Sequence, residues 1–182
     1  IGIIGLATSA EYKISKQESR IYNPIQTALN ILPAIKPLCD VVILLTHLGY
    51  SLSATSAITA EAGDVELAKA LPYAGVHLII GGHSHNELNH QGLSPHNIVN
   101  GIPIVQAGSL GRYLGRVDVR IRQKSAAVTH VRLTPTEILP VDQDLEDQVM
   151  QPLIQRARNY FSRVLGKVGD NPTLGTDYVR NT

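Results

Sequence analysis

Three apolar runs rich in Ile and Val, at residues 1–6, 41–45 and 76–80, are separated by stretches of helical spacing, and this alternation constrains the fold more than any other feature. The runs are apolar at successive positions, which predicts strands buried on both faces. Between the first two, Pro24 fits a first helical turn and Ile25, Leu29, Leu32 and Ile35 recur at helical spacing, while Pro33 predicts a kink or an early end. Between the second and third, Asp64 is the expected N-cap and Glu66 places negative charge in the first turn. Val65, Leu67, Ala68 and Leu71 supply the buried side of that helix, and Pro72 stops it. Strand, helix, strand, helix, strand predicts βαβ units, an α/β class in which ligands bind beyond the carboxyl ends of the strands.

From Ile102 the texture changes. The segments IPIVQAG, RVDVRIR and AVTHVRLTP read as antiparallel strands with one wet face each, Val117, Val119 and Ile121 opposing Asp118, Arg120 and Arg122. Residues 134–142 hold two prolines and mark a domain edge. A long amphipathic helix follows from about Asp144, acidic at its start and basic at its end as the helix dipole favours, and Pro152 predicts a kink or a restart within it. The tail from Gly166 carries Gly, Pro and Asn at turn-like positions and reads as the opening of another domain. The expected organisation is therefore 1–134, 135–165 and 166–182.

Sixteen basic and 15 acidic residues leave a formal charge of +1, and no basic cluster marks a nucleic-acid or acidic-membrane partner. The run VVILL at 41–45 is far shorter than the ~20 residues that span a bilayer. Cys39, the single cysteine, reads as a small core residue and does not decide the redox compartment. The chain opens at Ile1 on a strand-like run, so it is expected to be a piece of a longer polypeptide.

Two of the buried runs end in histidine: LLTHLG places His47 at a carboxyl end, and LIIGGHSH places His83 and His85 just past another. Gly81 and Gly82 allow a tight turn, and an extended segment would point His83 and His85 to the same side. Neutral imidazole suits zinc, manganese, iron, cobalt or nickel, and three such ligands can hold one metal. A dinuclear hydrolytic site also needs a bridging carboxylate, and none stands at a strand end. Asp40, Asp64 and Glu87 read as structural, and His77, His90, His96 and His130 as non-ligands. Ser84 lacks the flanking glycines of a nucleophile elbow, and no phosphate-binding glycine loop occurs.

The segments THLG, GDVELAKALP, GVHLIIGGHSH and IPIVQAGSLGRYLGRVDVRI together resemble consecutive landmarks of the calcineurin-like metallophosphoesterases, within them the 5′-nucleotidase and UDP-sugar hydrolase family. The resemblance covers about residues 1–133. It implies the second half of a metallophosphoesterase sandwich, a long connector helix, and the start of a nucleotide-specificity domain. It also implies two divalent metal ions such as zinc, manganese or cobalt, with His47 and His83 on one and His85, a position where some members carry Gln, contributing to the other. The family's D-x-H, G-D-x-x-D and G-N-H-D/E motifs, which supply the bridging Asp and the remaining ligands, are expected upstream. The implied substrate is a nucleotide or sugar nucleotide, the implied location periplasmic or extracellular, and these 182 residues alone are expected to be inactive. Two alternatives stay open: a 2′,3′-cyclic phosphodiesterase, or a non-catalytic metal-binding remnant.

Overall fold

The computed structural model describes residues 1–8, 22–51, 62–72, 75–122 and 125–164. The expected alternation is present. Strand β1 (Gly2–Ala7), helix α1 (Pro24–Ile35), strand β2 (Val42–His47), helix α2 (Asp64–Ala70) and strand β3 (Leu78–Ile80) follow one another along the chain. The three strands are parallel neighbours, with Ala7 beside His47 and Leu45 beside Ile80 in register. Their carboxyl ends therefore reach one edge of the sheet together.

Local chemistry accounts for the helices. Asn23 caps α1 by accepting from Gln26 N at 3.0 Å, and Pro24 occupies the first turn, where its missing N–H costs nothing. The α-helix runs two residues past Pro33 before tightening into a 3-10 turn at Lys36–Leu38. At α2 the expected cap is corrected: Gly63 is the N-cap, and the Glu66 carboxylate reaches back to accept from Gly63 N at 3.0 Å. Asp64 is thereby released for a different partner. Leu67 and Ala68 face the main core with Ala28 and Leu32 of α1 and Val42, Leu44 and Ile79 of the sheet, all buried.

Two expectations about the strands are overturned. The run Ile102–Val105 is no half-wet antiparallel strand: as β5 it pairs parallel with β3, all four residues are buried, and the sheet order is β1-β2-β3-β5-β4 with the short edge strand β4 (Ile98–Val99) antiparallel to β5. Conversely, β1 and β2 are not covered on both faces, since Ile3 is 66% and Leu45 52% exposed. The reason is the reach of the second layer. Hairpin β6 (Tyr113–Arg122) and β7 (Ser125–Pro135) is antiparallel as expected, and its Val117, Val128 and Val131 pack on Leu78, Ile80 and Val105. It covers the β3–β5 half of that face.

The chain divides into two compact units, residues 1–139 and the residues from 140 onward. In the second, Asp142 caps a helical turn at Gln143–Leu145, a π-turn spans Glu146–Met150, and the α-helix α3 (Gln151–Phe161) restarts with Pro152 in its first turn. The expected domain opening at 166–182 lies outside the described residues.

Candidate metal centre

At the common carboxyl edge of β1, β2, β3 and β5, His47 is the last residue of β2, and the loop after β3 runs Gly81-Gly82-His83-Ser84-His85-Asn86. The rings of His47 and His83 meet edge to face, centroids 5.1 Å apart and planes at 74°. Gly82 makes room for this approach, since a Cβ there would lie 3.0 Å from His47 Nδ1. The loop is not extended. His83 has φ 81° and His85 φ 58°, so both non-glycine residues sit in the left-handed region, which costs roughly 1–3 kcal/mol each and persists where the surroundings over-determine it.

The same-side placement expected for His83 and His85 therefore does not rest on strand alternation. The structure pairs His47 with His83, while His85 stands exposed at the turn. Among the described residues no three of His, Cys, Asp and Glu converge closely enough to hold a metal ion. In kind the site suits a borderline divalent cation, because its adjacent donors are imidazole nitrogens; in number it offers a partial ligand set.

Asp64 lies directly beneath. It is fully buried, its Oδ1 is 2.6 Å from Thr46 Oγ1, and its Oδ2 has no hydrogen-bond partner. Burial pushes its carboxyl up to about 7, against the opposing bond from Thr46 and with added repulsion from Glu66. The Thr46 hydroxyl also lies 3.4 Å from Ile80 O. One hydroxyl proton cannot serve two acceptors; at 2.6 Å it goes to Asp64 Oδ1, which leaves Oδ2 to carry the proton of the neutral carboxyl.

A carboxyl with a raised folded value contributes stability that is fully present below the unfolded value and lost as pH rises through about 7. For the metal-free protein this group alone is expected to remove roughly 2–3 kcal/mol of unfolding free energy between about pH 5 and pH 8. Urea denaturation across that range checks it, with Asp64→Asn expected to flatten the difference; equal pH slopes in both proteins would refute the assignment.

Several of the remaining polar residues lie elsewhere or have other partners. His77 Nδ1 accepts from Val42 N at 3.0 Å at the opposite edge of the sheet, and burial lowers its basicity. Glu87 meets His90 at 3.0 Å, and His90 stacks edge-on against Tyr113. Asp40 is exposed ahead of β2. One participant was missed: Gln106, at the end of β5 and 2% exposed, bonds to the histidine loop. The strand-end rule that selects His47 would have found it had Ile102–Val105 been read as a parallel strand.

No family model matches the chain. Among curated relatives, it is 30% identical over 158 residues to Silent protein UshA(0) of Salmonella typhimurium, covering 76% of this chain and 28% of that protein. It is 29% identical over 156 residues to a 5′-nucleotidase of Vibrio cholerae, with the same two shares. The trifunctional nucleotide phosphoesterase protein YfkN of Bacillus subtilis is 31% identical over 184 residues, or 97% of this chain and 11% of that one. The chain thus spans under a third of the length of these relatives. Among solved structures, it superposes with TM-score 0.61 and 19% identity on a chain described as a 5′-nucleotidase of Staphylococcus aureus in complex with alpha-ketoglutarate, over 85% of this chain and 31% of that one. With SoxB of Thermus thermophilus in complex with glycerol the TM-score is 0.60 at 24% identity, over 85% and 27%.

Proposed function

Because the chain belongs to the 5′-nucleotidase family of metallophosphoesterases, we propose that it supplies His47, His83 and His85 as ligands to a two-metal site that hydrolyses nucleotide phosphoesters. The observation that carries this reading is the His47–His83 pair, 5.1 Å between rings at the carboxyl edge of a parallel sheet. That edge is where open α/β sheets assemble ligand sites. The left-handed φ values of His83 and His85 support it, since strain at non-glycine residues collects at functional sites.

Divalent cations held in part by His47, His83 and His85 would supply positive charge for the phosphoryl oxygens and make a bound water more acidic. The chain's own residues perform the positioning. Thr46 anchors the backbone ahead of His47 through Asp64, Gly82 admits the His47 ring, and the turn at Gly82–Asn86 presents His83 and His85 to the sheet edge. In this reading the bridging carboxylate and the other ligands come from residues outside the described set, and catalysis is the work of a longer polypeptide. It is supported by the lack of a group of three ligands among the described residues and by the length of the relatives. The proposed substrates are nucleotides or sugar nucleotides and the proposed location periplasmic or extracellular; no described helix is long and apolar enough to cross a membrane.

Dialysis of the intact enzyme against a chelator is expected to abolish phosphate release from a nucleoside 5′-monophosphate, and added Mn²⁺, Zn²⁺ or Co²⁺ to restore it. Hydrolysis that survives chelation would overturn the proposal.

A further inference from the structure

A buried primary amide is costly unless its donors and acceptor are used, and Gln106 uses them on a single target. Its Nε2 donates to Gly82 O at 3.1 Å, and its Oε1 accepts from the backbone N of Asn86. The same oxygen lies 3.3 Å from the Ser84 hydroxyl, whose proton goes to the nearer Asn86 Oδ1 and whose oxygen accepts from Tyr50 N at 2.8 Å. These contacts bracket the segment that holds both His83 and His85. Gly82 O anchors it before His83, Ser84 between the two, and Asn86 N after His85.

One local bond, Ser84 N to Gly82 O at 3.2 Å, closes a three-residue turn around His83, and turns of this kind with positive φ are rare and strained on their own. Backbone bonds from Gly49 N to Gly82 O at 3.0 Å and from Gly108 N to Asn86 O at 2.9 Å help to hold the turn, and among the described residues Gln106 is the side chain that bonds it on both flanks. An amide is needed for this, because it donates to a carbonyl at one side of the loop and accepts from an N–H at the other. Glutamate would keep the acceptor but set a carboxylate oxygen against Gly82 O, and leucine would make neither bond. Resting on the metallophosphoesterase reading above, we infer that Gln106 is a positioning residue that fixes His83 and His85 in the geometry that binds cation. It touches neither metal nor substrate; it acts through the loop.

The test is Co²⁺ titration of the intact enzyme, followed by the visible d–d absorption of the bound ion, for wild type, Gln106→Leu, Gln106→Glu and His83→Gly. Gln106→Leu is expected to weaken Co²⁺ binding about ten- to a hundredfold, the range for partners that orient metal ligands, and to change the visible band. Gln106→Glu is expected to fall between it and wild type. A band shape altered in a protein whose far-UV circular dichroism is unchanged separates positioning from general support of the fold. Wild-type affinity and spectrum in Gln106→Leu overturn the inference while leaving the metal site standing. If that variant does not fold, Gln106→Glu decides, and wild-type behaviour there overturns the inference equally. Unchanged Co²⁺ binding in His83→Gly removes the metallophosphoesterase reading itself, and the role of Gln106 with it.

Discussion

His83→Gly is expected to lower nucleotide hydrolysis at least about a hundredfold while leaving the thermal midpoint of the metal-free protein unchanged or higher. The activity bound follows from ligand logic: residues that merely orient metal ligands are worth about ten- to a hundredfold, so loss of a ligand should cost more. The stability sign follows from the backbone. His83 sits at φ 81°, a conformation that glycine adopts freely and a side chain does not. Glycine therefore removes the imidazole and relieves about 1 kcal/mol or more of strain, set against a similar entropic cost of ordering glycine. His83→Ala is the companion variant, since it loses the imidazole but keeps the strained φ. It should match glycine in lost activity and fall below it in stability. Hydrolysis by His83→Gly within tenfold of wild type, measured as phosphate release at saturating Mn²⁺, would remove His83 from the site.

What the residues declare in advance depends on whether their neighbours are near in sequence. The βαβ order was legible because each run carries its own pattern, and the placement of His47 and His83 at the carboxyl edge was legible because each follows a buried parallel strand. Strand β5 shows the limit. Ile102 to Val105 has no polar position, the same signature as the other parallel strands, but it follows a loop rather than a helix and was grouped with the hairpin after it. The open face at Ile3 and Leu45 was not legible at all, since whether an apolar strand residue is covered depends on how far a hairpin a hundred or so residues away extends across the sheet. The turn at His83 and His85 was misread for the same reason: strand alternation is a local rule, and the contacts that bend the loop come from Gln106 and Tyr50. Asp64 illustrates the conflict best. Its place at the start of α2 fits a helix cap, but Glu66 satisfies Gly63, and Asp64 is buried against Thr46 of β2.

That burial makes Gly81 the most constrained position beneath the site. A Cβ on Gly81 would overlap Asp64 Oδ2 and lie 3.2 Å from both Asp64 Cγ and Gln106 Nε2. Neither neighbour can yield cheaply. Asp64 is a short side chain held by Thr46 at 2.6 Å and has no exposed surface to swing into, and Gln106 is fixed by its bonds to the histidine loop. Gly81→Ala is therefore expected to cost about 3 kcal/mol, the upper range for overpacking, and to cut hydrolysis as well, because displacing Asp64 pulls on Thr46 next to His47 and displacing Gln106 loosens the loop. Asp64→Ala removes the obstructing atoms. In that background Gly81→Ala should cost under about 1 kcal/mol, a coupling of about 2 kcal/mol between residues in direct contact. Urea denaturation of the four proteins measures the cycle at pH 5, where the native Asp64 is protonated. Additive effects would mean that Asp64 does not lie against Gly81, and the buried carboxyl would then have no place in holding the β2 and β3 ends together.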